Sequence, residues 1–97
     1  MSSEQLEEPI SYIVAAGATN TTSFPQNFFR FASSVIITNL DGANTATYQI
    51  NGEAQPVLTL AAGDFRTLNG IKISLLTIVA GAAGAVQVQA IGQPIVQ

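Results

Sequence analysis

Apolar and polar residues alternate along much of this chain with a period of two, the repeat of a strand that buries one face. Residues 10–15 open the pattern with Ile10, Tyr12 and Val14, β-branched or aromatic residues that favour extended backbone. Residues 34–39 form a second run, rich in valine and isoleucine. In residues 46–50, Tyr48 and Ile50 fall on one face and Thr47 and Gln49 on the other. Residues 57–60 make another short strand, entered through Pro56. Residues 71–79 read as the longest strand: Ile71, Ile73 and Leu75 share one parity, then Leu76, Ile78 and Ala80 take the other. That phase shift at Leu75 and Leu76 predicts a β-bulge or a stretch buried on both faces. Residues 85–91 alternate again, with Val86 and Val88 inward and Gln87 and Gln89 outward.

Turn chemistry separates these runs. Residues 17–23 are small, polar and loop-like, and Asp41-Gly42-Ala43-Asn44 marks a turn. Asn51-Gly52 is the strongest short-range turn signal, with further turns at residues 61–64 and at Asn69-Gly70. Gly81-Ala82-Ala83-Gly84 predicts a hairpin loop. Phe24, Phe28, Phe29 and Phe31 cluster before the second strand and read as core filling, with an exposed aromatic platform for a sugar or a partner as the alternative; Phe65 and Leu68 also read as buried. No segment sustains a helical period and no internal repeat is present, so a parallel α/β fold lacks its crossover helices. The expected fold is all-β: a small antiparallel β-sandwich or barrel of about seven or eight short strands, with an extended N-terminal arm. Residues 1–9 are expected to be a flexible arm closed by Pro9, and residues 10–97 a single β-sandwich domain.

Composition narrows the function. The chain has 97 residues, no cysteine and no histidine. It therefore has no disulfide, no thiolate metal site and none of the usual bases that work near neutral pH. Three cations and six acids are few for its length. Glu4, Glu7 and Glu8 make the start acidic, whereas Asp41, Glu53 and Asp64 balance Arg30, Arg66 and Lys72 in the body. A neutral body cannot build the basic face that backbone phosphates need, so nucleic acid is not an expected partner. Residues 1–10 carry no basic start or apolar run, which excludes a secretory signal there. The apolar stretch 71–91 is interrupted by Lys72, Ser74, Gly81, Gly84, Gln87 and Gln89, unlike a spanning helix.

The candidate chemistry is thin. Asp64-Phe65-Arg66 suits a surface ion pair better than catalysis. Asp41 with Asn39 and Asn44 resembles a calcium loop only superficially; the closing glutamate is missing and turn chemistry explains the residues. Gly81–Gly84 joins two strands, not a strand and a helix, so it is no phosphate loop. Ser33-Ser34 has no neighbouring base. Asn20-Thr21-Thr22 fits a glycosylation acceptor, which matters only in a secreted eukaryotic protein. No catalytic, cofactor or metal residue and no small-molecule substrate is expected, and the chain is not expected to be an enzyme.

Three blocks, residues 46–52, 59–66 and 78–88, combine short alternating strands with small-residue turns and few charges. In this they resemble small β-sandwich virion structural proteins of tailed bacteriophages, of the capsid decoration or cement type. The resemblance implies an outer-capsid component, made in the host cytoplasm, that binds the major capsid protein and copies of itself, with a trimer favoured. Its contacts would fall first on Glu4, Leu6, Glu7, Glu8 and Ile10, with the arm ordering on a neighbour. The alternatives are a phage tail or fibre accessory domain, or a receptor- or carbohydrate-binding β-module that uses Tyr12 or Tyr48.

Overall fold

The computed structural model describes residues 8–24, 29–52 and 55–94. Their regular elements are eight strands: β1 (Glu8–Val14), β2 (Thr19–Ser23), β3 (Phe29–Asn39), β4 (Ala46–Ile50), β5 (Val57–Leu60), β6 (Phe65–Ile73), β7 (Leu75–Val79) and β8 (Val86–Pro94). They form two four-stranded antiparallel sheets, β1-β8-β3-β6 and β2-β7-β4-β5, here called sheet I and sheet II. The all-β sandwich expected from the alternation is the fold observed. Only β4 and β5 are joined as a hairpin; every other connection between consecutive strands passes from one sheet to the other. This strand order is that of a jelly roll, in which two interlocked Greek keys close a core between the sheets.

The alternating positions supply that core. Val35 and Ile37 of β3 face Val86, Val88 and Ala90 of β8, and across the sandwich lie Ala46, Tyr48, Leu60, Leu76 and Ile78. Phe24 and Ile73 plug the interior without exposure, and Ile10, Tyr12, Ala18, Ile50 and Leu68 pack around the margin. Phe24 thus fills the core as its type suggests; residues 25–28 lie outside the described residues.

Several local expectations are corrected. The loop predicted over 17–23 contains β2, because Thr19–Ser23 pair along β7 and β-branched threonines suit an extended edge. Asn69-Gly70 is no turn but lies within β6, where Asn69 pairs with Ser34. Phe65 is not buried: it starts β6 on the outer face and is 61% exposed. The expected strand 71–79 is two strands broken at Ser74. Its change of phase marks the step from sheet I to sheet II. The loop at residues 81–84 is likewise no hairpin turn, since β7 and β8 belong to different sheets. β1 opens at Glu8, inside the stretch expected to be an arm.

Two polar knots hold the crossovers. At the break between β6 and β7, Asn51 Oδ1 accepts from Ser74 N (2.8 Å), Ser74 Oγ (3.2 Å) and Leu75 N (3.3 Å). Asn51 Nδ2 donates to the Lys72 carbonyl at 3.0 Å. Asn51 adopts φ 62° and Gly52 φ 103°, so this turn signal serves the neighbouring crossover as well as its own loop. The second knot is Asp41, at the end of the sandwich where the loops after β3, β5 and β7 meet.

Candidate interaction surfaces

Asp41 is the one acidic residue among the described residues that is buried, at 2% exposure. Its Oδ1 accepts from the N–H groups of Ala43 (2.8 Å) and Asn44 (3.0 Å). Its Oδ2 accepts from Asn44 Nδ2 (3.0 Å) and from Ala83 N (3.1 Å) in the distant β7–β8 loop. Asn39, 1% exposed, extends the knot: Nδ2 donates to the carbonyls of Asn44 and Ala61, and Oδ1 accepts from Asp41 N. The N–H groups, Ala43 first and Asn44 next, hold the Asp41 carboxyl at about 2, below its ordinary 3.8, against an opposing contribution from burial. Both oxygens are saturated by N–H donors, so the carboxylate stitches loops together and has no lone pair aimed at a cation. The described residues hold no cluster of three metal-ligating side chains. Turn and loop hydrogen bonds account for the placement of Asn39, Asp41 and Asn44.

The other chemical candidates do not converge. Asp64 Oδ1 accepts from Phe65 N at 2.8 Å, and the predicted ion pair with Arg66 does not form among the described residues. Tyr48 is a core residue at 4% exposure and offers no platform for a sugar. Tyr12 is half-buried and its hydroxyl is shut off from solvent without a well-aligned partner. Burial pushes its pKa up, offset in part by nearby Thr22, whose own hydroxyl donates to Asn20 Oδ1 at 2.7 Å. Of the predicted contact residues, Glu4, Leu6 and Glu7 lie outside the described residues. Glu8 begins β1 opposite Gly92, and Ile10 faces inward against the core.

The broad outer faces carry more information. The register of sheet I sets out three cross-strand rows: Pro9, Ile91, Ser34, Asn69; Ser11, Gln89, Ile36, Thr67; and Ile13, Gln87, Thr38, Phe65. Sheet II adds Thr19, Val79, Thr47, Thr59 and Thr21, Thr77, Gln49, Val57. None of these positions is charged. On sheet I, Pro9, Ile36 and Ile91 border an open groove of about 350 Å³ that also touches Ser11, Ser34 and Gln89. Ile13 and Phe65, each 61% exposed, stand at opposite edges of that face. The sequence foreshadowed these faces in its scarcity of charge, but not which residues share them.

No protein-family model and no curated protein matches the chain. Solved structures do. A chain from Bacillus endospore appendages, described as a novel family of disulfide-linked pili, superposes with a TM-score of 0.59 at 15% identity, covering 93% of this chain and 88% of that one. A cupin domain of an XRE-family transcriptional regulator from Enterobacter cloacae gives a TM-score of 0.50 at 17% identity, covering 92% of this chain and 83% of that one. At these identities the likeness is one of fold: the chain is similar to both across nearly its whole length as a compact jelly roll.

Proposed function

We propose that this protein is a structural subunit, not an enzyme, and that it works by burying surface against other proteins. The observation that carries this reading is the absence of charge, among the described residues, from the paired cross-strand positions of both outer sheet faces; the exposed Lys72 falls where β6 shifts register at the rim of sheet I. Interface centres are depleted of charged side chains, because a charge taken out of water must find a partner or forfeit its hydration. Serine, threonine and glutamine keep such faces soluble and surrender little when covered. The fold likeness to an appendage chain supports the same class.

In its finer form the proposal is a capsid decoration protein on the outer surface of a virion, binding the major capsid protein as a homotrimer. A second reading, an appendage or pilus subunit, is favoured by the endospore likeness. Sedimentation of the purified protein across a concentration series, followed by negative-stain imaging, separates the cases. Closed trimers that bind empty shells support decoration, and open-ended polymers support an appendage. A protein that stays monomeric at every concentration and leaves shells bare sinks the structural-subunit reading.

A further inference from the structure

We infer that the free edge of β6 receives residues 1–7 of a second copy as an added strand; this rests on the reading of the protein as an assembling subunit. Among the described strands, four have a neighbour on one side only: β1 and β6 in sheet I, β2 and β5 in sheet II. Three are short or blunted. Within β1, Pro9 lacks an N–H; β5 has four residues and follows Pro56; β2 has five. The remaining edge, β6, runs from Phe65 to Ile73 without a proline; its register with β3 is regular over Phe65–Asn69 and shifts before Ile73, where the Lys72 carbonyl already accepts from Asn51. A long open edge presents a row of backbone donors and acceptors, and is the natural template for an incoming strand.

Side chains on β6 select the occupant. Two of the chain's three cations, Arg66 and Lys72, lie there, both exposed: Arg66 follows the exposed Phe65 at the start of the strand, on the opposite parity, and Lys72 stands near its end. A second β6 is a poor partner. Antiparallel self-pairing centred on Asn69 sets Arg66 against Lys72, and like charges placed opposite each other destabilise a sheet. Residues 1–7 have the complementary character: Glu4 and Glu7, with Glu8 following, and Leu6 as an apolar contact for the Phe65 end.

Reach argues for a second copy over the chain's own start. The order β1-β8-β3-β6 sets the two edges three strand spacings apart, about 14 Å at ~4.8 Å per strand. A seven-residue segment spans at most about 24 Å. It would use more than half its length in crossing its own sheet, whereas the segment of a neighbour can lie along the edge throughout. Each copy then gives one segment and receives one, a head-to-tail contact that closes as a ring or continues as a filament.

Charge reversal tests this in the full-length chain. Arg66→Glu with Lys72→Glu in one variant, and Glu4→Lys with Glu7→Lys in another, should each weaken self-association about tenfold or more. A chain carrying all four substitutions should regain wild-type association. Hydrogen exchange should find the β6 amides protected on assembly, and a peptide of residues 1–8 added in excess should block assembly of the wild-type chain, a readout that needs no variant to fold. Wild-type assembly that ignores both reversals and the peptide, a four-fold variant that stays dissociated, or β6 amides that exchange equally in both states would overturn the inference. Those outcomes leave the structural-subunit reading standing, whereas a wild type that never associates removes both.

Discussion

At the scale of single residues, Asp41 packs tightly against Gly81 and Gly84 of the β7–β8 loop. A Cβ on Gly84 would stand 2.4 Å from Asp41 Cα and 2.8 Å from Asp41 N, and one on Gly81 would stand 2.7 Å from Asp41 Oδ2. Backbone cannot yield as a side-chain tip can. Gly84→Ala should cost about 3 kcal/mol in chemical denaturation, the upper range for overpacking. Gly42→Ala, where nothing lies within 4 Å, should stay within about 0.5 kcal/mol. The carboxylate at the centre of the knot sets an acid limit. Its folded pKa of about 2 lies below its ordinary 3.8, so its stabilisation is complete above 3.8 and fades as pH falls towards about 2. Melting temperature measured through that window should fall for the wild type. In Asp41→Asn it should start lower, because an amide group would turn a donor towards donors, and its slope should be shallower. The sequence showed a turn at Asp41 through its glycine and asparagine neighbours. That the carboxylate is buried could not be read there, because the Ala83 donor is 42 residues away in the chain.

At the scale of elements, the least legible feature was the place where β6 ends and β7 begins. The change of apolar parity at Leu75 and Leu76 was visible, and a bulge or a stretch buried on both faces was the local explanation. The chain instead leaves one sheet for the other at Ser74, and the new strand faces the core from the opposite side, so its parity must switch. The Asn51 side chain holds this step from the β4–β5 connection. Asn51→Gly keeps the left-handed backbone but removes the four hydrogen bonds to Lys72, Ser74 and Leu75. It should lower stability by about 1–2 kcal/mol, as read by urea unfolding, since the crossover N–H groups lose their acceptor to a partly exposed site. β2 was missed for a related reason: its threonines and asparagine carry loop chemistry, and only pairing with β7 makes them a strand. Strands such as β4 and β5, with plain alternation and a turn between them, were found with their observed limits.

At the scale of the whole molecule, aromatic residues divide between the core and the outer surface in a way that their type does not announce. Phe24 has no exposure and touches the centre of the sandwich, whereas Phe65 stands 61% exposed at the edge of sheet I. Phe24→Ala should cost about 3–5 kcal/mol through the cavity it leaves. Phe65→Ala should change the stability of the isolated subunit by no more than about 0.5 kcal/mol. Thermal unfolding of the two variants side by side checks the contrast. What the sequence determined by itself was whatever follows from neighbours two to four positions apart: the extended backbone, most inward and outward faces, the turns rich in glycine and asparagine, and a surface poor in charge. These depend on local sterics and on the period of a pleated strand. The tertiary structure alone decided which strands pair, which loops pass between sheets, and that a distant amide closes the Asp41 knot. It also decided that, among the described strands, β6 stands at the edge of its sheet. Those outcomes depend on contacts between residues far apart in the chain, and alternation at a period of two is the same for every strand, whichever neighbour it finds.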